Sequence, residues 1–376
     1  MIYADHNATT PIRPEAREAM LAALAIGANP SSVHSAGRMA RQALEKARTQ
    51  VAIAIGGVAQ DVVFTSGGTE ASALAIHGAV RKLDRKATLF LTGLEHSAVR
   101  DNARAAGVPV KEIGVLPSGV IDLTALEAAL GALGEEDGTP ILALMLANNE
   151  TGVIQPVAEA AAMMRAGGGL THCDAVQALG KIKVNVLLLG ADYLALSAHK
   201  CGGPAGVGAL WMRRGAPLIP AMLGGGQEKS LRSGTENLAG IAAFGAAAEA
   251  SVAALPQMAE LAKLRDAMEG VVKLEAGATI FGNGAERLPN TSCFALAGFR
   301  AETQVMAMDL EGVCISAGSA CSSGKVKSSG VLRAMGVDDA LASCAIRTSY
   351  GWNSAPEDFE ATADAWLKIT ARRKAG

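Results

Sequence analysis

Short, continuously apolar runs alternate along this chain with longer alanine-rich segments of helical pattern. The runs at 61–66 (DVVFTS), 87–92 (ATLFLT), 140–147 (PILALMLA), 170–175 (LTHCDA), 192–198 (DYLALSA) and 207–212 (VGALWM) predict strands. Their unbroken apolar character fits strands covered on both faces, as in a mostly parallel sheet. Between and before them, segments such as PEAREAMLAALA and AGRMARQALEKARTQVAIAI predict helices. That alternation predicts a doubly wound α/β layer architecture.

Beyond about residue 255 the pattern changes. A long helix is expected after Pro256 (QMAELAKLRDAMEGVV), then two short apolar stretches, TSCFALAG and GVCISAG, then a closing helix, DFEATADAWLKITARR. This portion reads as a smaller α+β unit. The length of 376 residues exceeds what one ordinary core holds, so two domains or one large α/β unit are expected.

Composition narrows the function classes. Hydrophobic residues make up 50% of the chain, enough for a substantial core. The 34 Lys and Arg against 36 Asp and Glu leave a net charge of -2, which makes no electrostatic case for nucleic acid or an anionic membrane. Aromatics at 3% argue against stacking platforms for bases. The opening residues MIYADHNATT carry neither a basic nor an apolar leader region, and the longest apolar stretches are too short for a bilayer. Cysteines at 173, 201, 293, 314, 321 and 344 form no C-x-x-C pair and no zinc-ligand spacing. A reducing cytoplasm is therefore the expected setting.

The segments that carry chemistry fall at strand ends, where ligands bind in open α/β sheets. In SAHKCGGPAGVG (197–208), Lys200 closes a predicted strand, and the glycines after it let backbone approach a flat ligand. Most loop lysines are simply solvated; one in a desolvated, electropositive setting becomes a nucleophilic amine. In HCDAVQALGK (172–181), Asp174 ends the neighbouring strand, either as a helix cap or as the partner of a protonated ring nitrogen. FTSGGTEAS (64–72) is strand, glycine turn and helix start, where Gly68, Thr69 and the helix dipole favour a phosphate. No lysine follows the second glycine, so it is not a P-loop. LTGLEHSAV places His96 at another strand end, and ANNETG and AIRTSYG supply Asn149 and Arg347. Finally SAGSACSSG (316–324) sets Cys321 among glycine, alanine and serine with no apolar run to bury it. Each feature alone has an ordinary structural explanation; together they match the separate needs of one cofactor.

In this ordered set the chain resembles the cysteine desulfurases, fold-type I pyridoxal-phosphate enzymes of the aminotransferase class V superfamily. The resemblance is carried by YADHNATTP, NPSSVHSAG, SGGTE, EHSAV, NNETG, CDAVQ, SAHK, GGGQEKSLRSGTEN and GSACSS. It implies a large domain at 10–256 with a mostly parallel seven-stranded sheet, and a smaller α+β domain from 1–9 and 257–376. It further implies that Lys200 holds pyridoxal 5'-phosphate covalently, that Asp174 pairs with its ring nitrogen and Gln177 with its phenolic oxygen. His96 would stack on the ring and move protons. Gly68, Thr69, Ser197 and His199 would hold the phosphate, joined by Thr235 from the second subunit of a homodimer. Asn149 and Arg347 would bind the carboxylate of L-cysteine, and Cys321 would take its sulfur as a persulfide, leaving L-alanine. A sulfur-acceptor protein such as an iron–sulfur scaffold would follow; nucleic acid, membrane and metal are not expected. Selenocysteine lyases and cysteine sulfinate desulfinases share the superfamily and are the alternative. The chain departs from the usual pattern at Ala71-Ser72-Ala73, Lys229-Ser230 and Cys201, none of which has an implied role.

Overall fold

The computed structural model describes residues 1–318 and 328–375. The chain opens with a short strand, β1 (Ile2–Tyr3), and two helices, α1 (Pro14–Ile26) and α2 (Ser35–Ala54). Strands and helices then alternate. They are β2 (Val62–Thr65), α3 (Gly68–Lys82), β3 (Ala87–Thr92), α4 (Ser97–Ala105), β4 (Val110–Ile113), α5 (Leu123–Gly131), β5 (Thr139–Met145) and α6 (Val157–Ala166). After these come β6 (Leu170–Asp174), the one-turn α7 (Val186–Leu189), β7 (Tyr193–Ser197) and β8 (Gly208–Met212).

These strands make a seven-stranded sheet in the order β2-β8-β7-β6-β5-β3-β4. All neighbours are parallel except at β8, which runs antiparallel to both β2 and β7. Side chains alternate between two apolar layers. Leu194 and Leu196 of β7 pack with Leu44, Val51 and Phe244, while Tyr193 and Ala195 pack with Leu74, Ala75 and Val99. Both faces are covered, which is why the strands read as unbroken apolar runs. The expected strands match to within two residues at either end. β4 was not foreseen: its sequence, VKEI, lies at the sheet edge and is mostly half-exposed, so no apolar run marks it.

Helices α8 (Leu238–Ala253) and α9 (Leu255–Ala276) lead to a second region. Pro256 lies in the first turn of α9, where its missing N–H has no intrahelical partner to lose, so the helix starts just before it. Then follow β9 (Thr279–Ile280), β10 (Thr291–Ala295), α10 (Ala301–Leu310), β11 (Val313–Cys314), β12 (Ser316–Ala317), α11 (Gly330–Ala334), α12 (Asp339–Ala342), β13 (Ala345–Ser349) and α13 (Pro356–Ala375). β12, β13, β10 and β9 form an antiparallel sheet. A separate apolar cluster holds it to α9 and α13, with Phe294, Ile346, Tyr350 and fully buried Trp366 at its centre. The chain's first residues belong to this cluster, because β1 pairs with β11 and Ala4 packs inside. No single helix among the described residues is long and apolar enough to cross a membrane.

Candidate active site

The strands β2, β3, β5, β6 and β7 all end on the same edge of the large sheet, and a cavity of about 280 Å³ lies there. That is just under the roughly 300–1,000 Å³ of most small-molecule sites. Gly68, Thr69, His96, Asn149, Asp174, Gln177, Ser197, His199, Lys200 and Arg347 all line it. Thr235 is exposed and is not among the lining residues, and Cys321 lies outside the described residues.

Each side chain is positioned by the turn that ends its strand. After β7, a turn of 3₁₀ helix at Ala198–Lys200 carries His199 and Lys200 to the cavity. Gly202 follows with φ +94, and a Cβ there would meet Arg13 Cγ at 2.6 Å, so only glycine lets the chain turn back. Asp174 ends β6 beside Ala195 of β7, and its Oδ1 accepts the Val176 N–H at 2.9 Å. No helix follows it directly, so it is not a helix cap. His96 caps α4, with Nδ1 accepting the Ala98 N–H at 3.1 Å, and also faces the cavity. Helix α3 begins at Gly68 without a side-chain cap. A Cβ on Gly68 would come within 2.5 Å of Val176 Cγ2, so the helix start and the Asp174 turn are packed together. Arg347 arrives from β13, donating from Nη1 to the Asn149 carbonyl at 3.0 Å.

The electrostatics follow from burial. Asp174 is buried, which raises its pKa; the Val176 N–H and the charges of His96 and Lys200 pull the other way. Burial lowers His199 to about 4, reinforced by Lys200 and Lys181, so its ring is neutral near pH 7. Its Nδ1 lies 3.0 Å from Thr9 Oγ1.

The N-terminal segment completes the site in a way the sequence did not announce. Lys200 Nζ donates to the carbonyls of Asn7 at 2.6 Å and Ala8 at 2.7 Å. Asn7 also ties down Gln177, Lys181, Thr291 and Ser349. Asn7 and Ala8 line the cavity, yet the DHNATT stretch carried no assigned role. The signal available was its place in the ordered motif set; the other unforeseen residue, Lys181, sits four positions after Gln177.

The family model of the class-V aminotransferases matches residues 2–361 of this chain. A cysteine desulfurase of Cereibacter sphaeroides is 42% identical over 95% of this chain and 92% of its own length. The chain belongs to the cysteine desulfurases of the class-V aminotransferase family. The solved structure of a NifS-like protein from Rickettsia africae superposes on this cysteine desulfurase with a TM-score of 0.89 at 34% identity, covering 99% of each chain. SspA in complex with cysteine matches with a TM-score of 0.80 at 28% identity, over 94% of this chain and 100% of that one. Family and fold together imply dependence on pyridoxal phosphate.

Proposed function

We propose that this enzyme takes sulfur from L-cysteine, using pyridoxal phosphate held in the cavity described above, and leaves L-alanine. The observation that carries the reading is the meeting of Lys200, Asp174, His96 and the start of α3 around one cavity at the ends of neighbouring strands. The donor set fits the cofactor. Asp174 is a buried carboxylate facing the cavity, and a protonated ring nitrogen would offset its burial. The uncapped N–H groups of α3, with Thr69 and Ser197, suit a phosphate. With the Thr9 hydroxyl donating to Nδ1, a neutral His199 presents an Nε2–H donor to the same group.

When bound, pyridoxal phosphate supplies the electron sink that makes the Cα–H of an amino acid removable. Asp174 would pair with its ring nitrogen, Gln177 with its phenolic oxygen, and His96 would pack on its face. Lys200 would hold it covalently and carry the Cα proton at Nζ. Arg347 and Asn149 bind the substrate carboxylate, as the Arg347 guanidinium on the cavity wall supports. Cys321 would take the sulfur as a thiolate, forming an S–S bond as the substrate C–S bond breaks. Burial pushes the thiols of Cys173, Cys201 and Cys293 up, Cys201 to about 11, which suits them poorly to that role.

The proposal extends to organisation. Residues 10–256 form the cofactor-binding domain, and 1–9 with 257–376 the smaller one, supported by the separate apolar clusters. The enzyme works as a homodimer in which Thr235, exposed on its own chain, reaches the phosphate of a second copy. It acts in the cytoplasm, where its free thiols stay reduced, and hands sulfur to an acceptor such as an iron–sulfur scaffold. The test is borohydride treatment of the yellow, loaded protein followed by peptide mapping. The cofactor should be found on the peptide bearing Lys200 and be absent from Lys200→Ala; an adduct on another lysine would overturn the reading.

A further inference from the structure

Lys181 is a lysine with almost no exposure, set in the turn that follows Gln177. Four residues after Gln177, it lies on the same side of that turn, and its Nζ donates to Gln177 Oε1 and, at 2.8 Å, to Asn7 Oδ1. Gly180, with φ +78 and a would-be Cβ 2.6 Å from Ser251 Cβ, lets the turn close tightly enough to bury the amine. The other end of the Gln177 carboxamide is also held, since Nε2 donates to the Asn7 carbonyl at 2.9 Å. Asn7 is oriented in turn: its Nδ2 donates to Thr291 Oγ1 at 2.9 Å and to the Asn149 carbonyl at 3.2 Å, which leaves Oδ1 for Lys181. Rotating the Gln177 carboxamide by half a turn would set Oε1 against the Asn7 carbonyl and NH₂ against the Lys181 donor, so both contacts oppose it.

We propose that Lys181 is a positioning residue. It locks the Gln177 carboxamide so that the NH₂ group, and not the carbonyl oxygen, is offered to an anionic oxygen of the ligand in the cavity. One N–H of that group is engaged by Asn7 and the second is left for the ligand. Burial, together with the charges of Lys200 and Arg347, holds the Lys181 pKa well below that of an ordinary lysine, partly opposed by Cys201. His6 and His199 nearby are held neutral, by burial first and in part by the Lys181 charge.

The inference rests on the reading that the cavity takes pyridoxal phosphate, whose phenolic oxygen is the anionic group in question. The experiment is a spectrophotometric pH titration of the visible absorbance of the loaded protein. Lys181→Met should raise its midpoint by about one pH unit, because a donor to a charged oxygen is lost. Gln177→Ala should raise it similarly, and adding Lys181→Met to Gln177→Ala should change nothing more. A direct charge effect of Lys181 would persist in the Gln177→Ala background, and that result overturns the proposal. So does an unmoved midpoint in Lys181→Met. Lys181→Gln, which keeps a donor in the buried site, serves the same cycle should the methionine variant fail to fold. Its shift should be smaller and again vanish in the Gln177→Ala background. A wild type that takes up no yellow colour removes the reading and this inference with it; a yellow wild type with unmoved variants removes the inference alone.

Discussion

Arg347 and Asp5 form an ion pair of 2.6 Å, Nη2 to Oδ1, that joins strand β13 to the N-terminal segment beside the cavity. Asp5 also accepts the Ser316 hydroxyl through Oδ2 at 2.8 Å. With Nη1 on the Asn149 carbonyl, the guanidinium is held from two sides and keeps N–H groups for a ligand. A lysine in its place is a single point donor that cannot serve Asp5, Asn149 and a carboxylate together. Arg347→Lys should raise the KM for cysteine by about 10–100-fold, with kcat less affected. Steady-state alanine production measures it, and an unchanged KM would count against a substrate contact.

Asp174→Asn separates function from stability. The amide keeps an acceptor for the Val176 N–H but lacks the charge that would keep a ring nitrogen protonated, so turnover should fall by about 10²–10³-fold. Folding of the unloaded protein should not suffer, since burial already raises the carboxyl pKa and charging it costs stability. Thermal melts and alanine assays on the same preparation check both halves. Near-normal turnover would reduce Asp174 to a turn residue.

Cys321→Ala should take up pyridoxal phosphate and bind cysteine yet release little alanine and no transferable sulfur. Mass spectrometry of the wild type after cysteine should find added sulfur on the peptide containing Cys321. Sulfur on Cys201, Cys314 or Cys344, with the variant fully active, would make Cys321 a bystander.

Two buried carboxyls predict a pH dependence of stability. Burial raises Glu95 to about 8 and Glu150 to about 7, from 4.5. In both cases the folded state binds the proton more tightly than the unfolded chain. Their contribution is therefore fully present below pH 4.5 and is lost as pH rises through about 7 and about 8. Buried His6, His172 and His199, lowered from 6.5, act in the opposite sense only below that value. Between pH 6.5 and 8.5 the Glu95 contribution should thus fall by about 2 kcal/mol, while buried Lys181, lowered from 10.5, acts in the opposite sense as pH rises. In denaturant titrations the wild type should lose stability relative to Glu95→Gln as pH rises over that window; an identical slope in the two proteins would dismiss Glu95 as a contributor.

Much of the site was legible because parallel strands converge. Asp174 and Lys200 close successive runs in the sequence, and in a parallel sheet successive runs end on one edge, so their meeting follows from the pattern. His96 and Asn149 are read the same way from β3 and β5. β4 was missed because an edge strand keeps a wet face. Lys181 was missed because a lysine in a polar turn ordinarily points to water, and nothing local shows that Asn7 Oδ1 waits for it.

By itself, then, the sequence determined the alternation of covered strands and helices, the family, and which polar residues stand at strand ends. These depend on local periodicity and on spacing along the chain. Only the tertiary structure decided which distant groups satisfy one another: the Asn7 and Ala8 carbonyls on Lys200, Asp5 on Arg347, and Lys181 beneath Gln177. Hydrogen-bond partners of buried polar groups are set by where the whole chain brings its ends, and the N-terminal segment is held at this cavity by the pairing of β1 with β11 and of Asp5 with Ser349 of β13.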